Sequence, residues 1–113
     1  MAFAMDDRIY QGYLFDFYGE LLKPHRREVY EQYIFDDLSL NEIAELRGVS
    51  RQSVFDLVKR VNESLTGYEA KLHLVEKFLS VRKKAETIEE LSRKGGEDLG
   101  RIHDLAASIL EEL

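Results

Sequence analysis

The chain has 113 residues, 44% hydrophobic, 34% charged and 11% aromatic, the composition of a soluble folded chain rather than a disordered one. It contains no cysteine, which excludes disulfides, thiolate metal sites and thiol catalysis and fits a reducing cytosol. A net charge of −6 argues against nonspecific polyanion binding, so the distribution of charge matters more than its sum.

Residues 1–38 hold 8 acids and 4 bases, residues 39–62 hold 3 and 4, and residues 63–113 hold 11 and 8. Only the central stretch is positive. No apolar run approaches the length of a membrane span, and MAFAMDDRIY lacks the basic-then-apolar order of a signal peptide. A cytoplasmic protein is expected.

In chain order, Asp6-Asp7 precede Ile9, Tyr10, Tyr13, Leu14, Phe17, Tyr18 and Leu21, spaced by threes and fours. This predicts an amphipathic helix with acids in its first turn and its aromatics in a core. Pro24 suits the first turn of a second helix, with Val29, Tyr30, Tyr33 and Ile34 facing inward. Its early bases, His25, Arg26 and Arg27, leave two readings open: phosphate contacts or solvated surface.

The stretch Ser39–Val61, SLNEIAELRGVSRQSVFDLVKRV, reads as a helix-turn-helix. Ser39 stands three residues before Glu42, the spacing of a capping box. Ala44 is small where two helices cross closely. Gly48 follows the last periodic residue of the first helix, where a left-handed conformation is needed. Ser50 can cap the second helix. Ile43, Val49, Val54 and Leu57 are the apolar residues expected to pin the pair.

From Val54 the apolar pattern continues through Val58, Val61, Leu65, Tyr68, Leu72, Val75 and Leu79 at alternating spacings of 4 and 3. This is a heptad seam, compatible with a homodimer contact or with packing inside one chain. It predicts a long helical segment with its bend at Thr66-Gly67, ending at Arg82-Lys83-Lys84. Thr87-x-x-Glu90 then suggests a capping box for a short helix carrying Ile88 and Leu91. Gly95-Gly96 terminates it, and Glu97-Asp98 open a last helix whose apolar residues, Leu99, Ile102, Ala106, Ile109 and Leu113, again run 3-4-3-4. Alternating strand patterns and repeats are absent.

Catalysis finds no support. His25, His73 and His103 share no metal-ligand spacing, GGEDLG joins no strand to a helix, and no nucleophile elbow is present. The protein is expected to be a non-enzyme without metal or cofactor.

In a helix-turn-helix the second helix enters the major groove with its N-terminal residues toward base edges. The candidate nucleic-acid-binding residues are therefore Ser50, Arg51, Gln52, Ser53, Asp56, Lys59 and Arg60, with Arg26 and Arg27 as flanking contacts. Arg51 suits guanine and Gln52 adenine, while Lys59 and Arg60 suit phosphate. Asp56 would repel the backbone unless it accepts from cytosine or fixes a neighbouring arginine. Because the motif carries a net charge of only about +1, either two copies or another molecule must help it bind duplex DNA.

The run Leu21–Val61 resembles region four of bacterial sigma factors. YLFDFYGELLKP, DDLSLNEIAE and VSRQSVFDLVKR are more closely similar to the YlxM family of small helix-turn-helix proteins associated with the signal recognition particle pathway. The resemblance covers approximately residues 10–80. It implies a sigma-region-four-like all-α fold and a cytoplasmic bacterial protein with a regulatory role near the particle and its receptor. The predicted elements divide into a helix-turn-helix domain, residues 1–66, and a long C-terminal helical extension, residues 67–113, expected to dimerise. The motif itself points to a regulator without a wing that binds double-stranded DNA as a homodimer. The alternative is an interaction protein that binds signal recognition particle RNA or protein.

Overall fold

The structure, a computed structural model, describes residues 7–113; Asp6, expected in the first turn, lies outside them. The described residues are all-α. In order come α1 (Asp7–Tyr18), a 3₁₀ turn (Gly19–Leu21), α2 (Pro24–Ile34), α3 (Leu40–Arg47), α4 (Arg51–Leu72), α5 (Leu74–Ser92) and α6 (Leu99–Glu112). The chain divides into two compact units, one ending at Leu72 and the other spanning His73–Leu113.

In the first unit, α4 is the element on which α1, α2 and α3 all pack. Its inward row is Val54, Val58, Val61 and Leu65, all buried, and it meets Leu14, Val29, Tyr30 and Ile43, also buried. The first half of the heptad seam is thus core within one chain. Burying each such side chain contributes about 1.5–3 kcal/mol. Phe15 stacks on Tyr30 with ring centroids 5.8 Å apart and meets Phe35 edge-on at 5.5 Å.

The inward face of α1 differs from the expected one. Leu14 and Tyr18 are buried as foreseen, but Ile9, Phe17 and Leu21 are exposed and Phe15 is buried. The face is centred on Leu14, Phe15 and Tyr18, so a broad run of threes and fours misplaced its middle. Val49, expected to pin the helix pair, is 48% exposed; it belongs to the turn, where the chain has left the helical face.

Two breaks also fall elsewhere than expected. Thr66 and Gly67 are continuous helix, and α4 ends at Leu72, before His73 in a left-handed conformation at φ 56°. A single glycine costs a long helix only about 1 kcal/mol, less than the packed stripe supplies. The second unit carries α5 straight through Arg82-Lys83-Lys84 to Ser92. Thr87 caps no helix: its hydroxyl donates to the Lys83 carbonyl one turn back, the usual use of a mid-helix threonine. Ile88 and Leu91 therefore lie on α5.

In this second unit α5 and α6 pack on each other. Lys84 Nζ donates to Glu112 Oε2 and to Ser108 Oγ, each at 2.7 Å, and Ser80 Oγ donates to the same carboxylate at 3.0 Å. These bonds set an antiparallel register. Arg82–Glu86 and Arg93–Glu89 are further ion pairs along α5.

Gly48 is left-handed at φ 65°, whereas Gly67 lies within α4, and an added Cβ would meet open space at both. Gly48→Ala should lower stability by about 1–2 kcal/mol through backbone strain. Gly67→Ala should raise it by about 1 kcal/mol. Urea unfolding of the pair checks the contrast; a shift of the same sign in both would contradict it.

The hydrogen bond from Lys84, then that from Ser80, holds the Glu112 carboxyl below the usual carboxylate range. A depressed folded value contributes stability that is present above the unfolded value and is lost as the pH falls through the folded one. The difference in melting temperature between the wild type and Glu112→Gln should therefore close as the pH drops below about 4.3. A difference independent of pH would show that the ionised pair contributes nothing.

Candidate nucleic-acid interface

The two short signals around the turn operate as capping devices. Ser39 Oγ accepts from the Glu42 amide while the Glu42 carboxylate accepts from the Ser39 amide, both at 3.1 Å. Gly48, left-handed, returns its N–H to Ala44 and Glu45. Ser50 Oγ accepts from the Ser53 amide at 3.0 Å, and the two serine hydroxyls stand 2.9 Å apart. Ser50 and Ser53 are therefore occupied in starting α4 as well as exposed beside it.

All seven candidate residues from Ser50 to Arg60 are exposed. Gln52, Asp56, Lys59 and Glu63, spaced 4-3-4, form the row opposite the buried valines. Ser53 and Arg60 flank this row on one side, Arg51 and Phe55 on the other. Gln52 Nε2 donates to Asp56 Oδ1 at 3.0 Å, so Asp56 holds a neighbouring amide rather than an arginine. Over these turns three bases, Arg51, Lys59 and Arg60, face two acids, Asp56 and Glu63. Arg26 is half-buried on α2, and exposed Arg27 pairs with Glu31 at 3.6 Å.

Two features were not foreseen. Arg47, in the last turn of α3, donates from Nε to Gln32 at 2.9 Å and lies 3.8 Å from the Glu28 carboxylate. With His25, Val29, Val49, Ser53 and Leu57 it lines a cleft of about 270 Å³ beside the start of α4. On the other flank, exposed Phe55 joins Tyr33, Leu40, Lys59, Asn62 and Glu63 around a groove of about 790 Å³. An apolar Phe55 in an otherwise polar run was the available sign of that groove. Leu57 is half-buried at the cleft.

The rotation of α4 is set by polar bonds as well as by its apolar row. Asn62 Oδ1 accepts from the Tyr30 hydroxyl at 2.5 Å and from Gln11 Nε2 at 3.4 Å. Farther along, Glu69 Oε1 accepts from the Tyr18 hydroxyl at 2.6 Å. Burial, followed by the nearby Tyr33 and opposed by Arg8, pushes the Tyr30 hydroxyl well above the usual tyrosine range, so it remains a donor at all ordinary pH values.

Two capped helices joined through a left-handed glycine, with α4 presenting polar and basic side chains outward, define a helix-turn-helix protein. The chain belongs to the UPF0122 family, described as "Putative helix-turn-helix protein, YlxM / p13 like", which residues 5–104 match. It is 47% identical to a UPF0122 protein of Caldanaerobacter subterraneus subsp. tengcongensis over 85 residues, 75% of this chain and 73% of that one. It is 37% identical to one from Thermoanaerobacter sp. strain X514 over 113 residues, 96% and 97% of the two chains. With one from Halalkalibacterium halodurans it shares 44% over 109 residues, 96% and 95% of the chains. Among the described residues no helix is long and apolar enough to cross a membrane.

Asn62→Ala leaves the buried Tyr30 hydroxyl without its acceptor, which should cost about 1–3 kcal/mol. Denaturant unfolding of Asn62→Ala and of Asn62→Ala/Tyr30→Phe checks this. The double variant should recover part of the loss; no recovery would mean that the bond does not hold α4.

Proposed function

We propose that this protein is a non-enzymatic regulator that binds double-stranded DNA through the first turns of α4. The observation that supports this reading is the simultaneous exposure of Arg51, Gln52, Lys59 and Arg60 on one capped helix whose opposite face is buried. Arg51 and Gln52 lie at the helix start, where base edges are reached, and Lys59 and Arg60 lie farther along, where phosphates are met. Arg26 and Arg27 add backbone contacts from α2, with Ser50 and Ser53 at the edge of the interface.

Asp56 and Glu63 offset much of this charge, so one copy is a weak binder and a homodimer supplies what one copy lacks. The expected compartment is the cytoplasm. Linkage to the signal recognition particle pathway rests on the YlxM resemblance. The groove beside Phe55 favours a second reading, in which the same domain docks on an RNA or protein component of that particle.

Fluorescence anisotropy with labelled duplex DNA and with particle RNA, across a salt series, tests the assignment. Arg51→Ala/Lys59→Ala should weaken duplex binding and flatten the dependence of log K on log salt by about 0.9 for each phosphate that is no longer neutralised. Asp56→Asn should strengthen it. Equal affinity of wild type and double variant at every salt concentration would sink the surface, and RNA binding that exceeds duplex binding would favour the second reading.

A further inference from the structure

The two flanks of α4 differ in charge. On one, the groove beside Phe55 carries one base and one acid, Lys59 and Glu63. The neighbouring hollow, which shares Tyr33 with that groove, sets Asp7, Asp37 and Glu42 against the single base Arg8. On the other flank Ser53, Leu57 and Arg60 run along α4 at spacings of 4 and 3. The cleft of about 270 Å³ brings His25 and Arg47 beside Ser53 and Leu57, and none of its lining residues is acidic. A strand of phosphates is therefore repelled on the first flank and attracted on the second.

Arg47 is prepared for an anion. Its side chain is only 22% exposed, and its Nε donates to Gln32 Oε1 at 2.9 Å. Because the N–H groups of a guanidinium lie in one plane, that single bond aims the terminal ones. The Glu28 carboxylate stands 3.8 Å away and is itself exposed, a separation longer than a hydrogen bond. Buried Val29 and Val54 and half-buried Leu57 wall the cleft, and against such a wall a charge is screened less than in open water. Ser53 lines the cleft and also belongs to the candidate interface, so the two surfaces are continuous.

We propose that this cleft seats a backbone phosphate of the bound duplex, with Arg47 as its charged partner and His25 as a second donor. One strand then runs along the flank of α4 that carries Ser53 and Arg60, away from Phe55. The inference rests on the reading of this protein as a DNA binder and adds to it the side on which the backbone lies. The fork of an arginine matches phosphate with two parallel hydrogen bonds. Such a contact carries no sequence information; it sets the register in which the first turn of α4 meets base edges. It also supplies, from α2 and α3, attraction that Asp56 and Glu63 remove from α4.

Phosphate contacts are independent of sequence, so fluorescence anisotropy with a labelled duplex of mixed sequence, across about 50 to 200 mM salt, tests this. Arg47→Gln should flatten the dependence of log K on log salt by about 0.9, and Arg47→Lys should restore most of it. Glu28→Gln should tighten binding severalfold, since the acid that competes for the guanidinium is gone. His25→Ala should weaken binding in the wild type and much less in the Arg47→Gln background, because both residues grip one phosphate. Thermal melts followed by circular dichroism separate these effects from a loosening of α3. A purely structural Arg47 would make Arg47→Gln and Glu28→Gln lower the melting temperature alike and leave both salt slopes unchanged, which overturns the proposal. If Arg51→Ala/Lys59→Ala weakens binding while Arg47→Gln leaves the slope intact, the cleft falls and the DNA-binding reading stands. A wild type that binds no duplex overturns both.

Discussion

Four side chains on α4, Val54, Val58, Val61 and Leu65, form the contact on which the first unit depends. They lie on one helical line and are buried against α1, α2 and α3 together. Because the side-chain positions of a helix are geometrically linked, burying this line decides what the other side presents. Gln52, Asp56, Lys59 and Glu63 stand outward for the same reason that the valines stand inward. The candidate interface is thus a consequence of core packing, with the capped serines and Gly48 setting where the helix begins.

Apolar contact alone tolerates small rotations of a helix, since Val and Leu offer no directional bond. Here the polar contacts remove that freedom. Asn62 accepts from α1 and α2 at once, and Glu69 accepts from the phenol of Tyr18. A buried hydroxyl deprived of its acceptor is costly, so these bonds select one rotation among those the valine stripe would allow. Arg47, tied to Gln32 and Glu28, does the same for α3.

Much of this was legible in residue order. Ser39 with Glu42, Gly48 and Ser50 are local devices whose partners lie within a few positions, and each forms the bond its spacing implied. Pro24 likewise opens α2. What could not be read depends on distant partners. Whether Phe15 or Phe17 turns inward is decided by Tyr30 on α2 and Phe35 just past its end. Thr66-Gly67 and Thr87 resemble break and cap signals, but the propensity behind them is weaker than the packing of a 22-residue helix and a 19-residue helix. The heptad seam showed a real apolar row without saying whether its partner was the same chain or another. For the candidate site, helical phase identified the outward residues, while the Gln52–Asp56 bond and the groove beside Phe55 required three dimensions.

The Gln52–Asp56 bond bears on how the face would discriminate. In the free protein Asp56 accepts from one of the two N–H groups of the Gln52 amide; the second N–H and the carbonyl oxygen are the pair that an adenine would engage. On the proposed reading the bond would therefore orient the amide before contact, at the cost of an acid that weakens phosphate attraction. Asp56 and Glu63 beside Arg51, Lys59 and Arg60 leave the outward face of α4 with little net charge, so bulk electrostatic attraction would be a small part of any binding at that face.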